Sequence, residues 1–167
     1  PDLTTAGSLG LSDAQGLIMT YAEVEFIIAE AAAKGWITED VETHYRAGIE
    51  ASMDYYNVDY APFGFTDFDD YYANSGVAYD EVIDIWEQKW MALFFTGLEP
   101  YFEVRRWYAE SGMSFAPIRF LTAPCENLND DVLPMRFLYP GEEQSLNSAN
   151  YSEAVQNLGG SNSFNAS

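Results

Sequence analysis

Met19-Thr20-Tyr21-Ala22-Glu23-Val24-Glu25-Phe26-Ile27-Ile28-Ala29-Glu30-Ala31-Ala32-Ala33-Lys34-Gly35 decides the fold class. Thr20 followed three residues later by Glu23 is a capping box, which satisfies backbone N–H groups that have no partner in a first helical turn. From there the run is rich in helix formers up to Lys34, and Gly35 is the usual left-handed stop. Tyr21, Val24, Ile28 and Ala31 recur at helical spacing and predict one apolar stripe. Ala22, Ala29 and Ala33 form a second stripe of small residues that would let another helix approach closely. Glu30 stands four residues before Lys34, the favourable order for an ion pair on a helix.

Working outward, a second helix follows almost at once. Thr38 is its expected cap, and Glu39, Asp40 and Glu42 favour its positive end. Val41, Tyr45, Ile49, Met53 and Tyr56 make its apolar stripe. Gly48 lowers helix propensity, so its presence predicts a tight helix crossing. So short a turn forces the two helices antiparallel, and residues 19–56 read as a helical hairpin close to one tetratricopeptide-type repeat, although the strict consensus is not met.

Residues 57–79 break the period, alternating aromatics with carboxylates, and read as a long loop. Helix signals return over 80–107. Val82, Ile85, Trp86, Trp90 and Leu93 mark one side of the first of these helices. Ile83, Met91, Phe94 and Phe95 extend the apolar surface, so this helix is expected to be buried from two directions. Gly97 ends it, and Glu99-Pro100 opens a shorter one. Residues 108–167 read as mostly irregular, with an extended piece at Met135–Tyr139 and a weak last helix over Asn150–Leu158. The opening residues 1–18 read as a loop or short strand. The expected class is mainly α, with long irregular loops.

Composition removes whole classes of function. With 27 acidic against 7 basic residues the 167-residue chain carries a formal charge of −20, which repels nucleic-acid backbones and anionic lipid. At 48% hydrophobic and 16% aromatic it holds too much apolar material for a disordered acidic tail. A single Cys125 and a single His44 leave no disulfide framework, CxxC clamp, HExxH or multi-His metal site. His44 itself reads as a surface helix residue. No cofactor is expected.

Four blocks of sequence carry a resemblance. Met19-Thr20-Tyr21-Ala22-Glu23-Val24 with Ala29-Glu30-Ala31-Ala32 and Gly35 comes first, then Gly48-Ile49-Glu50-Ala51-Ser52-Met53. Gln88-Lys89-Trp90 with Gly97, Glu99 and Arg105-Arg106 follows, and last Leu138-Tyr139-Pro140 with Glu142, Glu143, Asn147 and Asn150-Tyr151. In this order, over roughly residues 17–158, they resemble the signature of SusD/RagB-like outer-membrane lipoproteins. Glu23, Glu30, Lys89, Trp90, Arg105 and Arg106 are the matching motif residues. The stretch from Trp107 to Pro134 carries no motif of the family.

The resemblance implies a protein of the Bacteroidetes cell surface, lipid-anchored to the outer membrane through a cysteine upstream of Pro1. Cys125 is no substitute for that anchor. It implies a lid on a SusC-type TonB-dependent transporter that captures oligosaccharide, or peptide in some members, without catalysis. Because members are longer, residues 1–167 are expected to be the C-terminal portion of a single SusD-like domain.

Tyr60, Phe65, Asp67, Asp69, Tyr71, Tyr72 and Asn74 are the candidate ligand contacts, together with Phe63 and Phe68. Sugar C–H faces stack on aromatic rings while carboxylates and amides fix hydroxyls. The plainer reading is that several of these rings plug the loop onto the helical core. Asp67, Asp69 and Asp70 offer hard oxygens that suit calcium, but they complete no EF-hand loop, so calcium is a minor reading. A glycosidase pair at Glu23 and Glu30 would span about 10 Å, two helical turns, too long for a retaining mechanism and marginal for an inverting one. For these acids a structural role beside Lys89, Arg105 or Arg106 is the stronger expectation, since a lysine between two tryptophans needs an acid partner if buried. A helical protein–protein scaffold is the remaining alternative to capture.

Overall fold

The computed structural model describes residues 16–111, 134 and 136–162. Among these, every regular element is helical: α1 Tyr21–Ala33, α2 Val41–Tyr55, a 3-10 turn Ala61–Phe63, α3 Phe68–Asn74, α4 Val82–Ala92, α5 Glu99–Ser111, α6 Gly141–Leu146 and α7 Ser148–Asn157. The mainly α expectation holds. The expected opening loop lies outside the described residues save for 16–18, as do Met135, Cys125 and nearly all of the stretch between Trp107 and Pro134. Residues 137–140 are not part of a strand.

The hairpin forms as its caps dictate. The Thr20 hydroxyl accepts the Glu23 N–H at 3.1 Å and starts α1. At the far end Gly35 takes φ 70°, while its N–H reaches the Ala32 carbonyl and the Trp36 N–H reaches Ala31, both at 2.9 Å. This double closure is a Schellman end, in which a left-handed residue satisfies the last free carbonyls. Asn57 at φ 49° closes α2 in the same way. The cap of α2 differs from the expectation: Asp40, not Thr38, accepts the Thr43 N–H, at 2.8 Å. A carboxylate three residues before the donor reaches it and also meets the positive helix end, and Thr38 lies too far upstream to do either.

The core face of α1 is not the stripe of larger residues. Ala22 and Ala29 are buried with Phe26 between them, whereas of the larger stripe Tyr21 is exposed and Val24, Ile28 and Ala31 are half-buried. Ala33, the third residue of the small stripe, is exposed, and the close approach of α2 comes from Gly48 meeting Phe26. A methyl at Gly48 would stand 2.9 Å from two Phe26 ring carbons, so the predicted tight crossing is there. Around it Phe26, Tyr45, Ile49, Phe68, Tyr72 and Ile85 form the main core. The Tyr45 hydroxyl donates to the Val77 carbonyl at 2.7 Å, which satisfies its buried polar tip. A second core lies between α4 and α5, where Trp86 and Trp107 stack at 5.7 Å with planes 11° apart and Val104 fills the side.

Two stretches are more regular than expected. The aromatic and acidic segment holds the 3-10 turn and α3, because Asp67 caps α3 by accepting the Asp70 N–H at 2.9 Å. In the stretch expected to be mostly irregular, the weak last helix expected over Asn150–Leu158 forms as α7, and α6 precedes it unannounced by the sequence. The helix expected to be buried from two directions is buried from one. Ile85, Trp86 and Leu93 are covered, but Met91, Phe94 and Phe95 are 41%, 59% and 54% exposed. Phe95 also holds φ 66°, a conformation that costs a bulky residue about 1–3 kcal/mol.

Candidate functional site

The motif residues assemble into a polar clamp between α1, α4 and α5. Arg106 on α5 grips Glu30 on α1 through both guanidinium nitrogens, at 2.6 and 2.7 Å. It also reaches Glu103 at 2.7 Å and Glu110 at 3.1 Å. Lys34 bridges Glu30 at 2.8 Å and Glu110 at 2.7 Å, so the expected pair within α1 forms and extends to α5. Lys89 is 3% exposed and pairs with Glu103 at 3.0 Å, supplying the acid partner that a buried lysine requires.

The protonation states follow from this packing. Burial alone would raise Glu30, but hydrogen bonds from Arg106 and Lys34 outweigh it and hold the carboxyl down at about 2. Glu23 goes the other way: burial raises it, and the nearby Lys89 only partly offsets that. Glu30 therefore has both oxygens committed to bases and none left for a sugar. That geometry gives the glycosidase pairing of Glu23 and Glu30 no support. Arg105 lies with its guanidinium 5.9 Å from the Tyr101 ring centre, and it forms no acid pair among the described residues.

His44 stands on helix α2, as expected, and its ring reaches across to α1. It is half-buried, and its Nδ1 meets Glu25 Oε2 at 2.6 Å, tying α2 to α1. Burial would raise the Glu25 carboxyl, yet hydrogen bonds from Tyr21 and His44 bring it below its ordinary value. Glu25, Glu103 and Glu110 were absent from the sequence expectations. The last two could have been found, since they stand three residues before and four after Arg106 on one helix face.

The candidate ligand contacts divide into two groups. Tyr72 is buried in the core, with its hydroxyl 3.3 Å from Glu42 and accepting the Tyr79 N–H. Tyr60 and Tyr71 pack against the same core and against each other, with ring centres 6.0 Å apart. The plainer reading, rings plugging a segment onto the helices, is therefore realised for these three and for Phe68. On the outer side Phe63 is 72% exposed and Phe65 half-exposed, with Phe65 edge-on to Tyr71 at 5.4 Å.

The acids of this segment are committed locally. Asp67 caps α3, and Asp69 pairs with Arg46. Asp70 accepts from the Thr66 N–H at 2.9 Å and from Asn74 Nδ2 at 2.7 Å, and these bonds keep its carboxyl below the ordinary value. Among the described residues no three His, Cys, Asp or Glu side chains converge to hold a metal ion.

One further concavity was not foreseen. A pocket of about 600 Å³ lies between α2 and α4, floored by Phe26 and Ile49 and rimmed by Met53, Trp90, Phe94 and Phe95. Its lining contains no charged side chain.

These features define an all-helical, hairpin-built domain whose buried carboxylates hold helices together, with aromatic side chains left on the outside. The chain belongs to the SusD-like family: residues 3–140 match the family model described as starch-binding, associating with outer membrane. A SusD-like structure from Bacteroidetes AC2a is 31% identical with a TM-score of 0.67, covering 90% of this chain and 29% of that one. A chitin-binding protein is 28% identical with a TM-score of 0.63, over 87% of this chain and 31% of its own. A SusD homolog from Bacteroides fragilis NCTC 9343 is 27% identical with a TM-score of 0.64, over 88% and 34%. The chain thus spans about a third of the length of the solved structures it matches. None of the curated proteins matches it.

Proposed function

We propose that this chain is the C-terminal portion of a surface nutrient-capture lipoprotein that binds oligosaccharide and acts as a lid for a SusC-type TonB-dependent transporter. The observation that carries this reading is the family match over residues 3–140, whose description is starch-binding and associating with outer membrane. The likeness to a chitin-binding protein at 28% identity supports a glycan over a peptide. No helix among the described residues is long and apolar enough to cross a membrane, so a lipid anchor on the longer polypeptide is the attachment proposed. The mechanism is equilibrium capture without catalysis: aromatic faces hold the sugar, and the transporter system supplies the energy for import.

Within this span the contacts we propose are the outward members of the aromatic segment, Phe63 and Phe65, with Asp67, Asp69 and Asn74 offering a sugar hydroxyl only the lone pairs left over from the bonds they already make. Their exposure supports that role, and Tyr72 drops out because it is buried. The test is calorimetry of the full-length protein with maltooligosaccharides and chitooligosaccharides, alongside mass spectrometry of what co-purifies from native membranes. The expected result is sugar binding without release of new reducing ends, weakened at least tenfold by Phe63→Ala with Phe65→Ala, and a large β-barrel partner in fixed ratio. Full affinity in that double variant would remove these residues from the site. Absence of both sugar binding and barrel would sink the capture reading.

A further inference from the structure

We infer that a pocket at the junction of α6 and α7 is a second sugar-binding corner, taking an uncharged sugar ring of the captured glycan. The inference rests on the capture reading proposed above, while the corner itself shares no residue with the aromatic segment 57–79. The pocket encloses about 430 Å³, a size usual for ligand sites, and is walled by Tyr139, Pro140, Glu143, Asn147, Asn150 and Tyr151. These residues belong to the last block of the sequence motif. The turn from Tyr139 into α6 and then α7 brings them to one concavity.

The aromatic wall is held in place before any ligand arrives. Tyr139 and Tyr151 stand with ring centres 6.1 Å apart and planes at 75°, which makes an L-shaped apolar corner. The Tyr139 N–H donates to Asn162 Oδ1 at 3.1 Å, and its carbonyl accepts from Asn162 Nδ2 at 3.4 Å. Arg136 donates to the same Asn162 oxygen at 3.0 Å and sets its guanidinium 4.8 Å from the Tyr139 ring centre. A residue anchored at both backbone groups has little freedom left to lose when a ligand packs against it.

The polar wall selects the class of ligand. Asn150 Nδ2 donates to Asn147 Oδ1 at 2.7 Å, and Asn147 Nδ2 donates to Glu143 Oε2 at 2.9 Å. These two bonds line up three exposed side chains along one edge. A carboxamide has two N–H donors and an oxygen with two lone pairs, so the edge still offers one N–H from each asparagine, the Asn150 oxygen and Glu143 Oε1. Donors and acceptors therefore stand side by side. A sugar hydroxyl both donates and accepts, and the C–H faces of its ring pack on tyrosine, so a sugar matches both walls. An anion would meet the Glu143 carboxylate in a chain of net charge −20, and an ammonium group would leave the two N–H donors without an acceptor. An apolar side chain would take three hydrogen-bonding groups out of water with nothing in return.

Hydroxyl-radical footprinting of the full-length wild-type protein, read by mass spectrometry at Tyr139 and Tyr151, tests the corner. Maltooligosaccharides and chitooligosaccharides are the probes, and calorimetry on the same samples reports whether either sugar binds. Oxidation of both tyrosines should slow severalfold when the sugar that binds is added. Asn150→Leu keeps the size of an exposed side chain and removes its hydrogen bonds, so the sugar concentration for half-protection should rise about tenfold. Sugar binding that leaves both tyrosines unprotected overturns the corner and leaves the capture reading intact. Tyrosines as slow without sugar as with it overturn the corner in favour of cover by the rest of the polypeptide. Equal protection by inorganic phosphate overturns the sugar assignment, and an unchanged half-protection concentration in Asn150→Leu overturns the part given to the polar wall. No binding of either sugar overturns the capture reading and this inference with it.

Discussion

Replacing Gly48 by alanine sets two known effects against each other at one atom. In an isolated helix the change is favourable by about 1 kcal/mol, because glycine gives up more backbone freedom than alanine. Here the new methyl would stand 2.9 Å from Phe26 Cε1 and Cζ and 3.0 Å from Cδ1, closer than carbon atoms pack. Phe26 is fully buried and meets Tyr45 edge-on at 6.2 Å, so the ring can clear the methyl only by disturbing that contact or by pushing α1 from α2. Overpacking of this kind costs about 1–3 kcal/mol. Gly48→Ala should therefore destabilise by up to about 2 kcal/mol net, lowering the thermal midpoint by about 2–4 °C per kcal/mol for a domain of this size. Urea unfolding followed by helical circular dichroism measures it. Adding Phe26→Leu should return part of the loss, since the two changes act on one contact and couple. A Gly48→Ala protein more stable than wild type would refute the close crossing and show that helix propensity outweighs packing at this position.

Three other outcomes follow from the clamp and the caps. Arg106→Lys exchanges a two-pronged grip on buried Glu30 for a single contact; with the guanidinium side chain 35% exposed, a loss of about 2 kcal/mol is expected from denaturant midpoints. Glu30 also sets an acid dependence. Its carboxyl sits at about 2 in the fold against an ordinary 4.5, so its contribution is complete above pH 4.5 and disappears as pH falls toward 2. That contribution is about 3 kcal/mol, and Glu30→Gln should make urea midpoints flatter between pH 5 and pH 3. At the head of α2, Asp40→Ala should cost about 1 kcal/mol, whereas Thr38→Ala should fall within about 0.5 kcal/mol of wild type; the reverse ranking would restore Thr38 as the cap.

The hairpin was legible because everything that specifies it is local. Thr20 and Glu23, Gly35, and Gly48 act within a few residues or through one close contact, so spacing alone announced them. The acid partners of Lys89 and Arg106 were half legible: chemistry demanded partners, and Glu30 was among the expected ones, but which acid meets which base depends on how α5 lies against α1. The fate of the aromatic segment could not be read. Tyr72 and Phe63 have the same composition-level signature, and only the docking of α3 on α2 sends the first inward and the second to solvent.

By itself the sequence determined the positions of α1, α2, α4 and α5, the need for one tight crossing and the membership that its ordered motifs announce, but not α3 or α6. It did not determine which face of α1 is the core. Neither expected stripe is the core face as drawn: Ala22 and Ala29 are buried with Phe26 between them while Tyr21 and Ala33 face solvent, because α2 closes over Phe26 at Gly48. It also called for cover on both sides of α4, and the tertiary structure supplies one. Apolar periodicity states that a surface must be buried; only the arrangement in space says against what.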